Sequence, residues 1–255
     1  LTRGQRRIVT DEQLIECFES FIRIANYFSP FNPEAPFVIE ELEINPFAFT
    51  DYLMVPLDGL CRFGSNFKLP VKRPVKGIHH LLHPKSIGII GVSARRKNFG
   101  RIILDNILAQ GFDKESLVIF RDRETQIAGV RCLAGLSDLD RKLDLFIVAV
   151  GAGQVPGLVE QILELDAARA VMLIPGGMGE TKGTQDRAER VMARIRRVRI
   201  KAQGGGPVFL GANCMGVISR PGQYDTWFIP EAKLPKAEQT LVHRAALISQ
   251  SGAFM

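Results

Sequence analysis

Residues 86–100 read SIGIIGVSARRKNFG, an apolar run that leads through a glycine-containing loop to the expected start of a helix. The run from Ile87 to Ile90 is almost continuously apolar, which is typical of a strand buried on both faces of a parallel sheet. At such a strand–loop–helix junction, free backbone N–H groups and the helix dipole favour a phosphate or diphosphate. The stretch therefore predicts an anion-binding loop, with a purely structural tight turn as the alternative.

The loop differs from the two best-known phosphate-binding motifs. Gly88 and Gly91 are three residues apart and the next glycine is Gly100, so the stretch is neither GxGxxG nor GxxxxGK[ST]. A hydroxyl and several positive charges still accompany the backbone. The candidate anion contacts in this loop are Gly91, Ser93, Arg95, Lys97 and Gly100.

Strands and helices alternate on the carboxyl-terminal side of this stretch. Strands are expected near residues 86–91, 116–120, 143–150, 170–174 and 207–210, and helices near 99–110, 154–165 and 184–202. Alternation of this kind predicts an α/β fold, a Rossmann-like parallel sheet with helices on both faces. The second strand ends in Arg121, Asp122, Arg123 and Glu124. Two arginines there suit the phosphorylated ribose of NADP or coenzyme A, whereas NAD favours an acidic residue alone; a solvated loop of mixed charge is the alternative.

The amino-terminal part of the chain has a different pattern. Residues 10–28 have helical spacing of apolar side chains, with Thr10 and Asp11 as capping candidates. Residues 37–44 and 53–58 are predicted to be two strands joined by a polar tip at residues 50–52, with an acidic hairpin as the result. A basic, proline-punctuated stretch that ends in three histidines follows, and it is typical of a linker.

Composition limits the function classes. The net charge of +6 suits a polyanionic partner, which could be nucleic acid, an anionic membrane or a phosphate-rich cofactor. No apolar run of transmembrane length and no signal segment is present, so we expect a cytoplasmic protein with no membrane partner. The four cysteines are scattered and predict free thiols. Leu1 is not an initiator methionine, and residues 249–252 look like a turn that leads into more structure, so a piece of a longer polypeptide is expected.

Residues 211–218 read GANCMGVI and are similar to the GPNCxG(V/I) motif of the coenzyme A-binding domain of succinyl-CoA synthetase alpha subunits and related nucleotide diphosphate-forming acyl-CoA synthetases. Residues 246–253, ALISQSGA, resemble the start of the flavodoxin-like ligase domain of that family. The resemblance implies that Ser93 and the loop backbone face the diphosphate, Arg123 the adenosine phosphate end and Asn213 the pantetheine, while Val150 and Gly151 match the loop after the third strand. The chain departs from the family pattern in three places: Ala212 replaces the proline of GPNC, Gly151 stands where a proline is common, and Arg121 and Asp122 replace the usual Asn-Pro.

Residues 41–46, ELEINP, resemble a strand near the end of an ATP-grasp domain. The resemblance implies Asn45 and Asp58 as magnesium ligands, with Glu43 as a third. Hard oxygen ligands of this kind suit Mg²⁺ together with the phosphates of ATP or ADP. The implied domains are the carboxyl-terminal part of an ATP-grasp domain (1–65), a linker (66–82), a coenzyme A-binding Rossmann-like domain (83–240) and the start of the ligase domain (241–255).

The resemblance implies a parent acyl-CoA synthetase that makes acyl-CoA from an acid, coenzyme A and ATP through an acyl phosphate and a phosphohistidine. No histidine of this chain fits that role, so we expect no catalytic residue here and no turnover by the chain alone. The expected partners are coenzyme A or acyl-CoA and the remaining synthetase domains or subunits, with a homo-oligomer left open.

Three other functions are kept as alternatives. They are an acyl-CoA-sensing regulatory part of a protein lysine acetyltransferase, an NADP-binding Rossmann domain, and a nucleic-acid-binding module. The last is motivated by a basic helix with Arg194, Arg196, Arg197, Arg199 and Lys201, but little aromatic interleaving accompanies it, which favours a solvated face.

Overall fold

The computed structural model describes residues 9–32, 34–50, 53–65, 72–229 and 248–249. The chain divides into two compact units, Leu1–Pro70 and Val71–Met255. None of the helices in the described ranges is both long and apolar enough to cross a membrane.

The first unit begins with a helix, α1 (Asp11–Tyr27), close to the bounds expected from the sequence. Thr10 caps it: the Thr10 Oγ1 atom accepts a hydrogen bond from Gln13 N at 3.2 Å, and the Gln13 side chain accepts one from Thr10 N at 2.9 Å. This reciprocal capping box satisfies two backbone donors that the helix itself cannot pair.

Four strands follow α1, and their pairing differs from the predicted hairpin. They are β1 (Val38–Ile44), β2 (Phe47–Phe49), β3 (Met54–Pro56) and β4 (Gly59–Gly64). β1 pairs antiparallel with β4, and β2 pairs with β3 as a short inner hairpin. The prediction that residues 37–44 and 53–58 pair with each other was wrong. The true partner of β1 is bounded by glycines at both ends, which hid its strand pattern.

The second unit is built on a seven-stranded sheet with the order β11–β10–β9–β5–β6–β8–β7. Its strands are β5 (Ile87–Ile90), β6 (Leu117–Phe120), β7 (Gln126–Ile127), β8 (Val130–Leu133), β9 (Leu143–Val148), β10 (Ala168–Leu173) and β11 (Val208–Gly211). All neighbours pair in parallel except β7, which pairs antiparallel with β8. The predicted fold class is confirmed, while the short strands β7 and β8 were not expected.

Helices cover both faces of this sheet. The helix α3 (Phe99–Ala109) buries Ile103, Leu104 and Ile107 in the core on one face. The helices α4 (Val155–Glu164) and α5 (Gln185–Lys201) bury their apolar residues in a second core on the other face. Burial of both faces explains why the central strands β5 and β6 consist of apolar residues and glycine.

A short helix, α2 (Ile78–Leu82), forms within the segment expected to be a linker, and its Leu81 is buried in the first core. The His80 Nδ1 atom lies 3.0 Å from Asp144 Oδ1, and the Arg169 Nε atom lies 3.2 Å from the same oxygen. The first contact links α2 to the amino end of β9, and the second links β10 to the same residue.

The stretch after β11 folds back over the same core. It contains the paired strands β12 (Ile218–Ser219) and β13 (Tyr224–Asp225). The Tyr224 hydroxyl, which is fully buried, donates to the Leu81 carbonyl, and Ser219 Oγ donates to Leu82 O at 2.6 Å. Residues 212–229 are therefore an ordered part of the second unit. Most of the predicted ligase strand at residues 241–248 lies outside the described residues.

The strand order places a crevice at the carboxyl edge of the sheet. β6 and β9 flank β5 on opposite sides. The strands that follow β5 in the chain, β6 to β8, are therefore added on one side of β5, and the strands β9 to β11 are added on the other side. In open parallel sheets, ligands bind at the strand carboxyl ends where the order reverses in this way. The loops after β5 and β9 therefore border the position at which a ligand is expected.

Candidate functional site

The loop after β5 packs closely against the loop after β9 and the start of α3. Gly91 has a φ of +96°, and a Cβ atom there would lie 2.3 Å from the Ala149 carbonyl oxygen. A Cβ atom on Gly100, at the start of α3, would lie 2.6 Å from the Gly91 carbonyl oxygen. Only glycine fits at these two positions, and the helix begins in direct contact with the turn.

Asn98 holds the loop in shape. Its Oδ1 atom accepts hydrogen bonds from Arg101 N at 3.0 Å and from Ser93 N at 3.2 Å. Its Nδ2 atom donates to the Gly91 carbonyl oxygen at 2.7 Å. Asn98 was not among the predicted site residues, although asparagine just before an expected helix is the signature of an N-cap.

Ser93 organises the turn between these anchors. Its Oγ atom accepts hydrogen bonds from Arg95 N at 3.3 Å and from Arg96 N at 2.9 Å, which leaves the hydroxyl hydrogen able to donate to a ligand. Arg95, Arg96 and Lys97 are all exposed.

The start of α3 supplies further donors. Within the described part of the chain, the N–H groups of Phe99 and Gly100 have no hydrogen-bond partner, as expected for the first turn of a helix. The positive end of the helix dipole and exposed cations thus converge on the crevice, an arrangement that can bind a phosphate group.

The two arginines after β6 have different surroundings. The Arg121 guanidinium donates from Nη1 to the Val92 carbonyl oxygen at 3.0 Å and pairs through Nε with Glu124. Arg123 is exposed and forms no ion pair within the described ranges. Arg123 is therefore the cation that this loop presents to a ligand, and Arg121 is a structural link between two loops.

Burial and the negative charge of Glu124 raise the pKa of the Cys132 thiol.

An open cleft lies beside the loop after β9. Val150 is half-buried and Gly151 is exposed at its edge. The cleft has a volume of about 300 Å³ and is lined by Ile90, Val150, Gln154, Gly157, Leu158 and Gln161. It runs along α4, from Gln154 just before the helix to Gln161.

Asn213 lies in the turn after β11, with a φ of +55°. Its N–H donates to the Pro175 carbonyl oxygen at 3.0 Å, and its Oδ1 atom would lie 3.1 Å from a Cβ atom on Gly176. The Glu180 carboxylate closes the loop after β10, which contains Pro175 and Gly176, because it accepts hydrogen bonds from Gly177 N at 2.5 Å and Met178 N at 2.6 Å. Hydrogen bonds from the backbone, including that of Glu180 itself, lower the pKa of this carboxyl group, so it is ionised at neutral pH.

Cys214, next to Asn213, has a structural role. Its Sγ atom donates to the Leu173 carbonyl oxygen at 3.3 Å, and burial raises the pKa of the thiol. A thiol that stays protonated is a poor nucleophile. We therefore assign Cys214 to the packing of the turn.

The structure brings most of the predicted binding residues to one edge of the sheet. Gly91, Ser93 and Gly100 lie after β5, Val150 and Gly151 after β9, and Asn213 after β11. The charged candidates Arg95, Lys97 and Arg123 lie on the adjoining loops after β5 and β6. Sequence reasoning missed Asn98, and it assigned Arg121 to a phosphorylated ribose, whereas the structure shows Arg121 donating to a backbone carbonyl oxygen.

The predicted metal ligands belong to the first unit. Asn45 N donates to the Asp58 carbonyl oxygen at 3.1 Å, so these two residues face each other between β1 and β4. Their side chains are exposed, as is that of Glu43, and Asp58 Oδ1 accepts from Gly59 N at 2.8 Å. In the described ranges, no three or more His, Cys, Asp or Glu side chains form a group that could hold a metal ion. Exposed amide and carboxylate oxygens are groups of the kind that Mg²⁺ can use alongside ligands from a nucleotide and water.

Comparison with known proteins matches residues 85–220 to a family model described as a CoA binding domain. The alpha subunit of acetate–CoA ligase (ADP-forming) I from Pyrococcus furiosus is 28% identical over 176 residues, which are 68% of this chain and 35% of that protein. Acetate–CoA ligase (ADP-forming) II from Archaeoglobus fulgidus is 23% identical over 217 residues, 85% of this chain and 30% of that protein. The chain thus spans about a third of the length of these relatives.

A solved structure shares the fold. It is a dinucleotide-forming acetyl-coenzyme A synthetase 1 from Ca. Korarchaeum cryptofilum in complex with phosphate and ADP, with a TM-score of 0.52 and 23% sequence identity. The match covers 60% of this chain and 31% of that one.

Proposed function

The chain belongs to the CoA binding domain family, and from this membership we propose that its second unit binds coenzyme A at the carboxyl edge of the sheet. The observation that carries the proposal is the loop after β5. There, Asn98 and Ser93 fold the backbone into a turn whose open side combines helix-start amides with exposed positive charge. A diphosphate is the ligand that such a turn is suited to bind.

The surrounding residues fit the other parts of the cofactor. The diphosphate arm is assigned to Ser93 and the start of α3, with Arg95 and Lys97 attracting the anion. The ribose phosphate is assigned to Arg123, which is free of ion pairs among the described residues, and the pantetheine is assigned to Asn213. When bound, coenzyme A supplies a thiol that accepts an acyl group.

The parent protein is proposed to be an ADP-forming acyl-CoA synthetase, because the similar curated proteins are ADP-forming acetate–CoA ligases. This crevice binds and orients a cofactor, and no side chain in it is assigned to catalysis. Acyl transfer therefore requires synthetase domains or subunits beyond this unit, and the chain alone is expected to show no turnover.

The first unit is proposed to hold Mg²⁺ with ATP or ADP in the parent protein. Asn45 and Asp58 supply the oxygen ligands, and Glu43, which is also exposed and lies in β1 two residues before Asn45, is a third candidate. Because two or three such ligands bind Mg²⁺ weakly without a nucleotide, the isolated chain should bind the metal only in the presence of ATP or ADP.

Isothermal titration calorimetry with coenzyme A, desulfo-coenzyme A, NADP and ADP tests the proposed function. Coenzyme A and desulfo-coenzyme A should bind equally well and more tightly than NADP or ADP, because the thiol is remote from the phosphate contacts. Tighter binding of NADP would identify a dehydrogenase-like nucleotide site and overturn the proposal.

The variant R123A tests the assignment of the ribose phosphate. It should lose affinity for coenzyme A about tenfold but bind 3′-dephospho-coenzyme A as the wild type does, since only the charge pair with that phosphate is removed. Equal losses for both ligands would place Arg123 elsewhere.

A further inference from the structure

Arg121 links the two loops that border the proposed diphosphate position. Its backbone belongs to the loop after β6, and its Nη1 atom donates to the Val92 carbonyl oxygen, at 3.0 Å, in the loop after β5. The two residues are 29 positions apart in the chain, so the bond joins segments that chain connectivity leaves independent.

The peptide group between Val92 and Ser93 is held at both of its ends. Its C=O accepts from Arg121, and its N–H, which belongs to Ser93, donates to Asn98 Oδ1 at 3.2 Å. Because a peptide group is planar, fixing both ends fixes its orientation. That orientation determines where the Ser93 side chain and the following turn point.

Glu124 holds the guanidinium in the position that makes this bond. It pairs with Arg121 Nε from three residues further along the same loop, and the side chains of Arg121 and Glu124 are 34% and 27% exposed. A planar guanidinium with fixed donor directions can serve the carboxylate and the carbonyl at once, which a lysine ammonium does less well. Partial burial protects the pair from the screening that weakens fully exposed ion pairs.

We propose that Arg121 is a positioning residue for coenzyme A, set by Glu124, which fixes the Val92–Ser93 peptide group and thereby the shape of the diphosphate-binding turn. This inference rests on the proposed function and adds to it a residue that does not itself contact the ligand. The Arg121 guanidinium thus acts on the backbone of the loop after β5, and the ligand phosphates are left to the neighbouring groups.

Calorimetric titration of R121A, E124A and the double variant with coenzyme A tests the proposal. The dissociation constant should rise about tenfold in R121A, as expected for a hydrogen bond from a charged donor that is partly exposed. The double variant should bind no more weakly than R121A, because Glu124 acts only through the guanidinium. R121K, which keeps a charge and a donor, should recover part of the loss.

Arg131 provides a matched control. It lies in β8 of the same sheet and pairs with Asp140 at 3.5 Å. R131A removes an equal charge without touching the loop after β5, so it should bind coenzyme A within about twofold of the wild type. Equal affinities of R121A and R131A, or additive losses in the double variant, would overturn the positioning role.

Amide hydrogen exchange in the protein without ligand separates this inference from the proposed function. Exchange at Ser93 and the following turn should accelerate in R121A but not in R131A, while the slowly exchanging sheet amides stay unchanged. Unchanged exchange in the turn would overturn the inference even if coenzyme A binds. If the wild type fails to bind coenzyme A but the turn loosens in R121A, the proposed function fails and the link between the loops stands.

Discussion

Gly100→Ala tests how closely helix α3 approaches the loop after β5. An added Cβ atom would lie 2.6 Å from the Gly91 oxygen, 2.8 Å from its carbonyl carbon and 3.0 Å from Val92 N. All three are backbone atoms, so no side chain can rotate away and the helix or the loop must move. Overpacking of this kind costs about 1–3 kcal/mol. Exchange of glycine for alanine in a helix returns about 0.5–1 kcal/mol, which leaves a net loss of up to about 2.5 kcal/mol.

Gly157→Ala is the matched control. Gly157 lies in the first turns of α4, and a Cβ atom there would meet no atom within 4 Å. This variant should be neutral or more stable by up to about 1 kcal/mol, because it gains helix propensity without a clash. The assay is urea unfolding followed by tryptophan fluorescence. Trp227 is the only tryptophan of the chain and is 5% exposed, so its emission reports on the second unit. A Gly100→Ala variant as stable as Gly157→Ala would refute the close approach.

The remaining predictions concern a buried phenol and the turn after β11. Burial raises the pKa of Tyr224 well above its usual range, so the folded state keeps a proton that the unfolded chain releases above about pH 10. The unfolding free energy should therefore fall by up to about 1.4 kcal/mol per pH unit above that point, and Y224F should lack this part of the loss. Y224F should also be less stable at neutral pH by about 1–2 kcal/mol, since it leaves the Leu81 carbonyl without its partner. N213G keeps the positive φ without strain, so it should match the wild type in stability and yet bind coenzyme A more weakly. N213A should lose both stability and affinity for coenzyme A. Wild-type affinity in N213G would show that the Asn213 side chain is not part of the site.

The fold of the second unit could be predicted because its strands are buried on both faces. Runs such as Ile87–Ile90 and Leu143–Val148 carry that signal in their composition alone. The strands β7 and β8 gave no such signal, because they are two and four residues long and include polar residues. The pairing of β1 was missed for another reason: its partner β4 begins and ends with glycine, so no strand was predicted there.

The candidate site was predictable where backbone conformation dictates the residue type. Gly91 and Gly100 lie where a side chain would clash with backbone atoms, so glycine is required there and can be recognised in the sequence. The role of Arg121 could not be foreseen, because an arginine after a strand can turn either to a ligand or to a carbonyl oxygen of the next loop. That choice depends on Glu124 and on the position of Val92, which follow from the packing of the two loops.

A crystal structure of the chain with coenzyme A tests the central claim most directly. The diphosphate should lie within hydrogen-bonding distance of Ser93 and the first amides of α3, with the pantetheine passing Asn213. A cofactor bound at the amino edge of the sheet, near Asp144 and α2, or a crevice closed by its own side chains, would contradict the account.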